Sequence, residues 1–194
     1  MKQKLLHKLN KRQGFSLTEM LATVLIMGFV GIIITTGAAT VQRVYRKVVA
    51  HANAQTALTT TITLMKDQLA FADPESVGNG SETGTGFGNS QTIVFKNLNS
   101  GEQTITLNPG TANRGFTLTY TTGDGTGTNS TSLPLLSDSA ITSDLCVCFD
   151  GTDSGFSWDP ATQVITVTNL VAKDTRTDTV QARASFKVLL VNDK

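Results

Sequence analysis

Hydrophobic and polar positions divide the chain into three stretches. Residues 1–14 are polar and basic. Phe15 to Ala39 then runs for 25 residues with one charge, Glu19; within it Met20 to Ile34 is apolar apart from Thr23, with Gly28 and Gly31 inside. At a helical rise of about 1.5 Å per residue such a run spans roughly 37 Å, enough to cross a hydrocarbon core of about 30 Å. Beyond it Val41, Val44, Tyr45, Val48, Val49 and Ala52 recur at the spacing of one helix face, while Gln42, Arg43, Arg46 and Lys47 take the other side. A second apolar series, Leu58, Ile62, Met65 and Leu69, is spaced 4, 3 and 4 and continues the stripe. Asp73-Pro74 predicts the stop, because the residue before proline is pushed out of the helical region. The pattern predicts one helix over residues 15–72, roughly 85 Å long. Its first half needs lipid or other helices, and its second half needs a sheet. The five threonines of Thr56–Thr63 lower helix propensity and predict a bend or a frayed turn.

After Asp73 the helical period is lost. Val77–Asn89 is mostly small and polar, an exposed loop by composition. Strand-like runs follow at Gln91–Leu98, Gln103–Leu107, Phe116–Thr121, Ala140–Phe149, Val164–Ala172 and Val180–Val191. Asn99-Ser100-Gly101 reads as a hairpin turn between the first two, and Lys173–Asp178 as a longer hairpin between the last two. Thr122–Thr131 reads as a second polar loop. One long helix followed by antiparallel strands, with the helix on one face of the sheet, predicts an α+β fold. Residues 1–14 form a leader, 15–39 a transmembrane segment, and 73–194 a β-rich head.

Charge sharpens this division. Sixteen Lys and Arg against fifteen Asp and Glu give a net charge of +1. Five of the bases (Lys2, Lys4, Lys8, Lys11, Arg12) lie in residues 1–14, which hold no acid. From Asp73 onward there are seven bases and thirteen acids. So acidic a head has no electrostatic footprint for phosphate backbones, and no direct nucleic-acid binding is expected. The two histidines, His7 and His51, lie outside the head, which leaves little for a zinc site, a Ser-His-Asp triad or a Cys-His pair. No catalytic role and no cofactor is expected. By the positive-inside rule the five leading bases outweigh Arg43, Arg46 and Lys47, so the bulk of the chain faces outward.

Glu19 does not fit a plain anchor. An ionised carboxylate inside an apolar span costs several kcal/mol unless partnered, and Glu19 sits near enough the start to snorkel to the headgroups. Its neighbours add to it. Lys11-Arg12-Gln13-Gly14-Phe15-Ser16-Leu17-Thr18-Glu19-Met20-Leu21 resembles the type III signal of type IV pilins and pseudopilins: a basic leader ending in Gly, then Phe, then an acid at the fifth mature position, ahead of a long apolar run. The resemblance covers about residues 8–40, and the proline common near the end of that family's membrane segment is missing. It implies cleavage between Gly14 and Phe15 by a membrane-embedded prepilin peptidase, N-methylation of Phe15, and a long helix carrying a sheet-rich head. It also implies as partners other pilin subunits, a membrane assembly platform and, before assembly, the lipid bilayer. The location implied is the cytoplasmic membrane of a prokaryote, with the leader in the cytoplasm, and then an extracellular filament. A freshly exposed ammonium on Phe15 gives Glu19 of an adjoining subunit an opposite charge, which would set axial register while apolar packing supplies the affinity. Gly28, Gly31 and Gly37 suit close helix packing or a local loss of helicity.

Two further groups carry weaker signals. Cys146 and Cys148 alternate onto one face of a strand, where a direct disulfide would be strained. Free buried thiols come first, a strained disulfide second and metal binding last. Asp150-Gly151-Thr152-Asp153-Ser154-Gly155, with Asp159 nearby, offers oxygen ligands to calcium but lacks the spacing and distal Glu of an EF-hand, and acidic turns are usually solvated. No metal site is assigned. The function expected is that of a structural subunit, major or minor, of a type IV pilus or related filament. The alternative is a pseudopilin of a type II secretion or competence DNA-uptake system. More distant is a membrane-anchored extracellular binding domain. A conventional secretory signal ending at Gly37-Ala38-Ala39 is the competing reading of the N-terminus.

Overall fold

A computed structural model describes residues 15–81, 83–97, 103–109, 115–123, 128–137 and 144–191. The leader with Gly14, the Asn99-Ser100-Gly101 turn and the first residues of the predicted Ala140–Phe149 strand lie outside the described residues. Among these described residues the architecture is α+β: one long helix, then nine strands in two antiparallel sheets. The chain divides into two compact units, one ending at Lys47 and one starting at Val48.

Helix α1 spans Leu17–Leu69, 53 residues, or about 80 Å. It stops before Ala72 because the chain is recruited elsewhere. Ala72 bridges to Asn97, and the Asp73 N–H donates to the Lys96 carbonyl at 2.8 Å. A 3-10 turn, Pro74–Ser76, follows, with the Asp73 carboxylate accepting from the Glu75 N–H. The helix runs unbroken, without fraying, through the threonine stretch. Instead Thr56, Thr60, Thr61 and Thr63 each donate a hydroxyl to the carbonyl four residues back, at 2.8–3.0 Å. Thr35, Thr36 and Thr40 do the same, and Thr23 donates to the carbonyl three residues back, of Met20. This satisfies a polar group inside an apolar segment without a partner from outside.

The two apolar series expected on one face lie on different faces. At about 100° per residue, the six positions from Ala52 to Leu58 advance the helix by about 240°. The buried set is Ala54, Ala57, Leu58, Thr61, Met65 and Leu69, with Ile62 only partly buried. Val41, Val44, Tyr45, Val48 and Val49 are all exposed.

The strands are β1 Phe87–Ser90, β2 Ile93–Lys96, β3 Thr104–Pro109, β4 Phe116–Gly123, β5 Thr128–Pro134, β6 Leu145–Phe149, β7 Gly155–Asp159, β8 Val164–Asp174 and β9 Thr179–Leu189. Instead of one sheet there are two. The first is a meander, β2-β3-β4-β5, starting from the predicted β2–β3 pairing. The second is built on β8. Its one edge takes β7 along residues 164–168 and β6 along residues 170–174, end to end, while β9 lines the other edge. Strand β1 pairs outside β7. The change of partner falls at Asn169, whose positive φ of 53° kinks β8. Asn169 is held from three sides: its N–H donates to Ser185 Oγ, its Nδ2 to the Asp153 carbonyl, and its carbonyl accepts from the Asp150 N–H.

Strands β1, β5 and β7 fall in segments read as loop or left unassigned. The reason for β5 is plain. Thr128–Pro134 is polar at every position but Leu133 and Pro134, an edge strand exposed over residues 129–134, with no apolar face to reveal it. One core joins the helix to both sheets. Met65 and Leu69 share one buried cluster with Phe95, Ile105 and Leu107 of the meander and Phe156, Trp158, Ile165 and Val167 of the second sheet. Phe116, Phe149 and Phe156 pack edge to face, with centroids 5.0–6.3 Å apart. Lys66 lies 5.4 Å over the Phe186 ring on β9.

Candidate functional site

The first turn of α1 is built by its own residues. The Ser16 carbonyl accepts from the N–H groups of Glu19 and Met20, at 3.0 and 3.1 Å, so Ser16 opens the helix. Its hydroxyl and that of Thr18 hydrogen-bond. Glu19 falls in this first turn, where the free N–H groups and the positive end of the helix dipole favour a carboxylate. Phe15, one turn before it, is 71% exposed, and Glu19 takes part in none of the ion pairs between described residues. Phe15, just before the helix, and Glu19, in its first turn, are thus both exposed. Gly14 lies outside the described residues.

Behind the tip, every residue from Phe15 to Asn53 is exposed. Leu17, Met20, Leu21, Val24 and Leu25 form a continuous apolar face that begins beside Glu19. The helix is long and apolar enough to cross a membrane. An apolar surface of this size, uncovered by the other described residues, marks a lipid- or protein-facing element.

The cysteines are brought together as alternation requires. Both are free, Cys146 buried and Cys148 partly so. The Cys148 S–H donates to the Cys146 sulfur, the Gly115 N–H donates to it as well, and the Lys173 ammonium stands near. These outweigh burial and bring the Cys146 thiol down to about 7, while the same bond, with burial, pushes Cys148 up. Lys173 is itself paired with Asp178 at 2.7 Å, which raises its own proton affinity.

The acidic turn is engaged in structure. Asp150 pairs with Arg183 at 2.8 Å. Asp153 offers its backbone carbonyl to Asn169, and Asp159 accepts from the Thr162 hydroxyl and the Ala161 N–H, which hold it below the usual carboxylate range. Among the described residues no three His, Cys, Asp or Glu side chains converge as metal ligands. A cleft of about 350 Å³ that the sequence does not signal lies between Asp73, Glu75, Ser76, Thr83, Val94, Lys96 and Thr104. The Lys96 N–H donates to Ser76 Oγ there, and the Asp73 carboxylate accepts from the Glu75 N–H of the 3-10 turn.

No protein-family model, curated protein or solved structure matches the chain.

Proposed function

We propose that this chain is a filament subunit of the type IV pilin kind, cleaved between Gly14 and Phe15 and assembled through its helix. One observation carries the reading. Phe15 and Glu19 stand exposed one turn apart at the tip of a helix whose first part is uncovered and apolar and whose last turns are built into a folded core. No other described residue covers that surface. Before assembly, lipid covers it; afterwards, the helices of other copies do. The prepilin peptidase exposes an ammonium on Phe15 and N-methylates it. As an incoming subunit leaves the membrane platform, the Glu19 carboxylate pairs with that ammonium on a neighbour. Apolar packing then holds the filament, and the ion pair fixes the register. An ammonium left without its carboxylate in such a bundle costs roughly 3–5 kcal/mol, or at least a hundredfold in assembly. The head takes no catalytic part.

The test is incorporation. Surface filaments sheared from cells and detected with antibody against residues 73–194 should contain the wild-type chain. Glu19→Leu subunits should be processed normally but enter filaments about a hundredfold less. Equal incorporation of the variant would contradict the proposal. A chain confined to short pseudopili, with secretion or DNA uptake lost on its deletion, would assign it to the pseudopilins instead.

A further inference from the structure

The two arginines and the lysine just past the apolar run form a one-sided cationic site. Arg43, Arg46 and Lys47 fall at i, i+3 and i+4, on one face of α1, and all three are exposed. Residues so spaced have Cβ atoms about 5–6 Å apart, and like charges there repel. The helix offers nothing to offset this. Between Glu19 and Asp67 it carries no carboxylate, and none of the three cations enters an ion pair between described residues. A cluster that raises the energy of its own helix is relieved by an anion from outside.

Its position identifies the anion. From Met20, where the apolar run begins, to Arg43 is 23 residues, or about 35 Å of helix. A hydrocarbon core is about 30 Å thick, and 40–45 Å with its headgroups. With Met20 at one edge of the core, the two guanidiniums and the ammonium stand at the phosphate level of the opposite leaflet. Guanidinium forks match phosphate oxygens bidentately. Tyr45 lies on the other side of the same turns, exposed, an aromatic ring at the depth where such rings anchor in the interface.

We propose that Arg43, Arg46 and Lys47 form a binding site for the phosphate of an anionic phospholipid in the leaflet away from the leader. The inference rests on the membrane-spanning part of the functional reading and not on filament assembly. Before cleavage the leader holds the near leaflet with five cations. After it, the Phe15 ammonium and Glu19 cancel, and this site is the main electrostatic contact between the anchor and its bilayer. Removing it should loosen the subunit in the membrane without touching the head.

The test uses the full chain in nanodiscs of equimolar phosphatidylglycerol and phosphatidylcholine, released gently into a mass spectrometer that counts retained lipids. A basic residue beside an anionic surface contributes about fivefold in binding. The wild type should therefore retain phosphatidylglycerol over phosphatidylcholine, and Arg43→Gln/Arg46→Gln/Lys47→Gln should lower that preference at least roughly tenfold. A second variant with the five leader bases changed to Gln should keep the excess that the triple variant loses. Circular dichroism should show unchanged helicity in both. Equal retention of the two lipids by the wild type, or an undiminished preference in the triple variant, would overturn the site. Loss of self-association in pure phosphatidylcholine discs by the triple variant, with lipid retention unchanged, would give the cations to the acidic head of another copy and overturn it as well. Lipid selection without any filament would leave this site standing and count against the pilus reading alone.

Discussion

Gly155 passes so close to Ser90 that a β-carbon on the glycine would overlap the Ser90 carbonyl oxygen. Its φ of 134° is also one that side chains rarely adopt. This contact lets β7 turn in beside β1 immediately after the Asp150–Ser154 loop, which is how β6 and β7 come to share one edge of β8. Gly155→Ala should destabilise the head by about 3 kcal/mol, from backbone strain and overpacking together. Gly88 on β1 has open space around it, and Gly88→Ala should be near neutral. Denaturant unfolding of the chain in detergent, followed by fluorescence of Trp158, checks both. Trp158 is the sole tryptophan of the chain and is 3% exposed within the head core.

The covered and uncovered faces of α1 make a second contrast. Met65 is fully buried, so Met65→Ala should cost about 2–5 kcal/mol through lost transfer energy and the cavity left behind. Val48 is 60% exposed, and Val48→Ala should leave the unfolding midpoint of the isolated subunit nearly unchanged. A large loss from Val48→Ala would mean that the valine face is covered within the single chain.

How much of this was legible beforehand follows from what each element needs. The helix and its fit to a membrane were readable, because an apolar run of 25 residues announces itself and Asp73-Pro74 closes the pattern. The phase of the buried stripe was not. Spacings of 4, 3 and 4 identify a face within Leu58–Leu69, but the small Ala54 and Ala57 and the hydroxyl-bearing Thr61 share that face, and apolarity alone does not select them. Strands with apolar alternation, such as β8, were found. Strand β5 was missed because backbone pairing, not side-chain burial, holds it. The side-by-side cysteines followed from alternation, whereas their hydrogen bond depends on Gly115 and Lys173 being folded nearby. The Gly14-Phe15 junction is legible only in the sequence, and the structure adds that Phe15 and Glu19 stand exposed beside it.

The cysteine pair has a titration to match. Cys146 is held below the ordinary thiol range, so its thiolate forms with a midpoint of about 7. A group with a lowered folded pKa contributes stability that is present above its unfolded value and lost as pH falls through the folded one. The head should therefore gain stability as pH rises from about 7 toward the ordinary thiol value of about 8.5, until other groups intervene. Thiolate absorbance of the purified chain should show one cysteine titrating near 7 and the other unionised well above it. In Cys148→Ala, which removes the donor, the Cys146 midpoint should move up. A wild-type midpoint already at the ordinary value would contradict this arrangement.

The mature N-terminus tests the central claim most directly. Intact-mass and peptide mass spectrometry of the chain, recovered from membranes of cells that carry a prepilin peptidase, should find a polypeptide that begins at Phe15 and bears a methyl group on its amine. A chain that begins near Thr40, or one that still carries Met1 through Gly14 in those cells, would contradict the account.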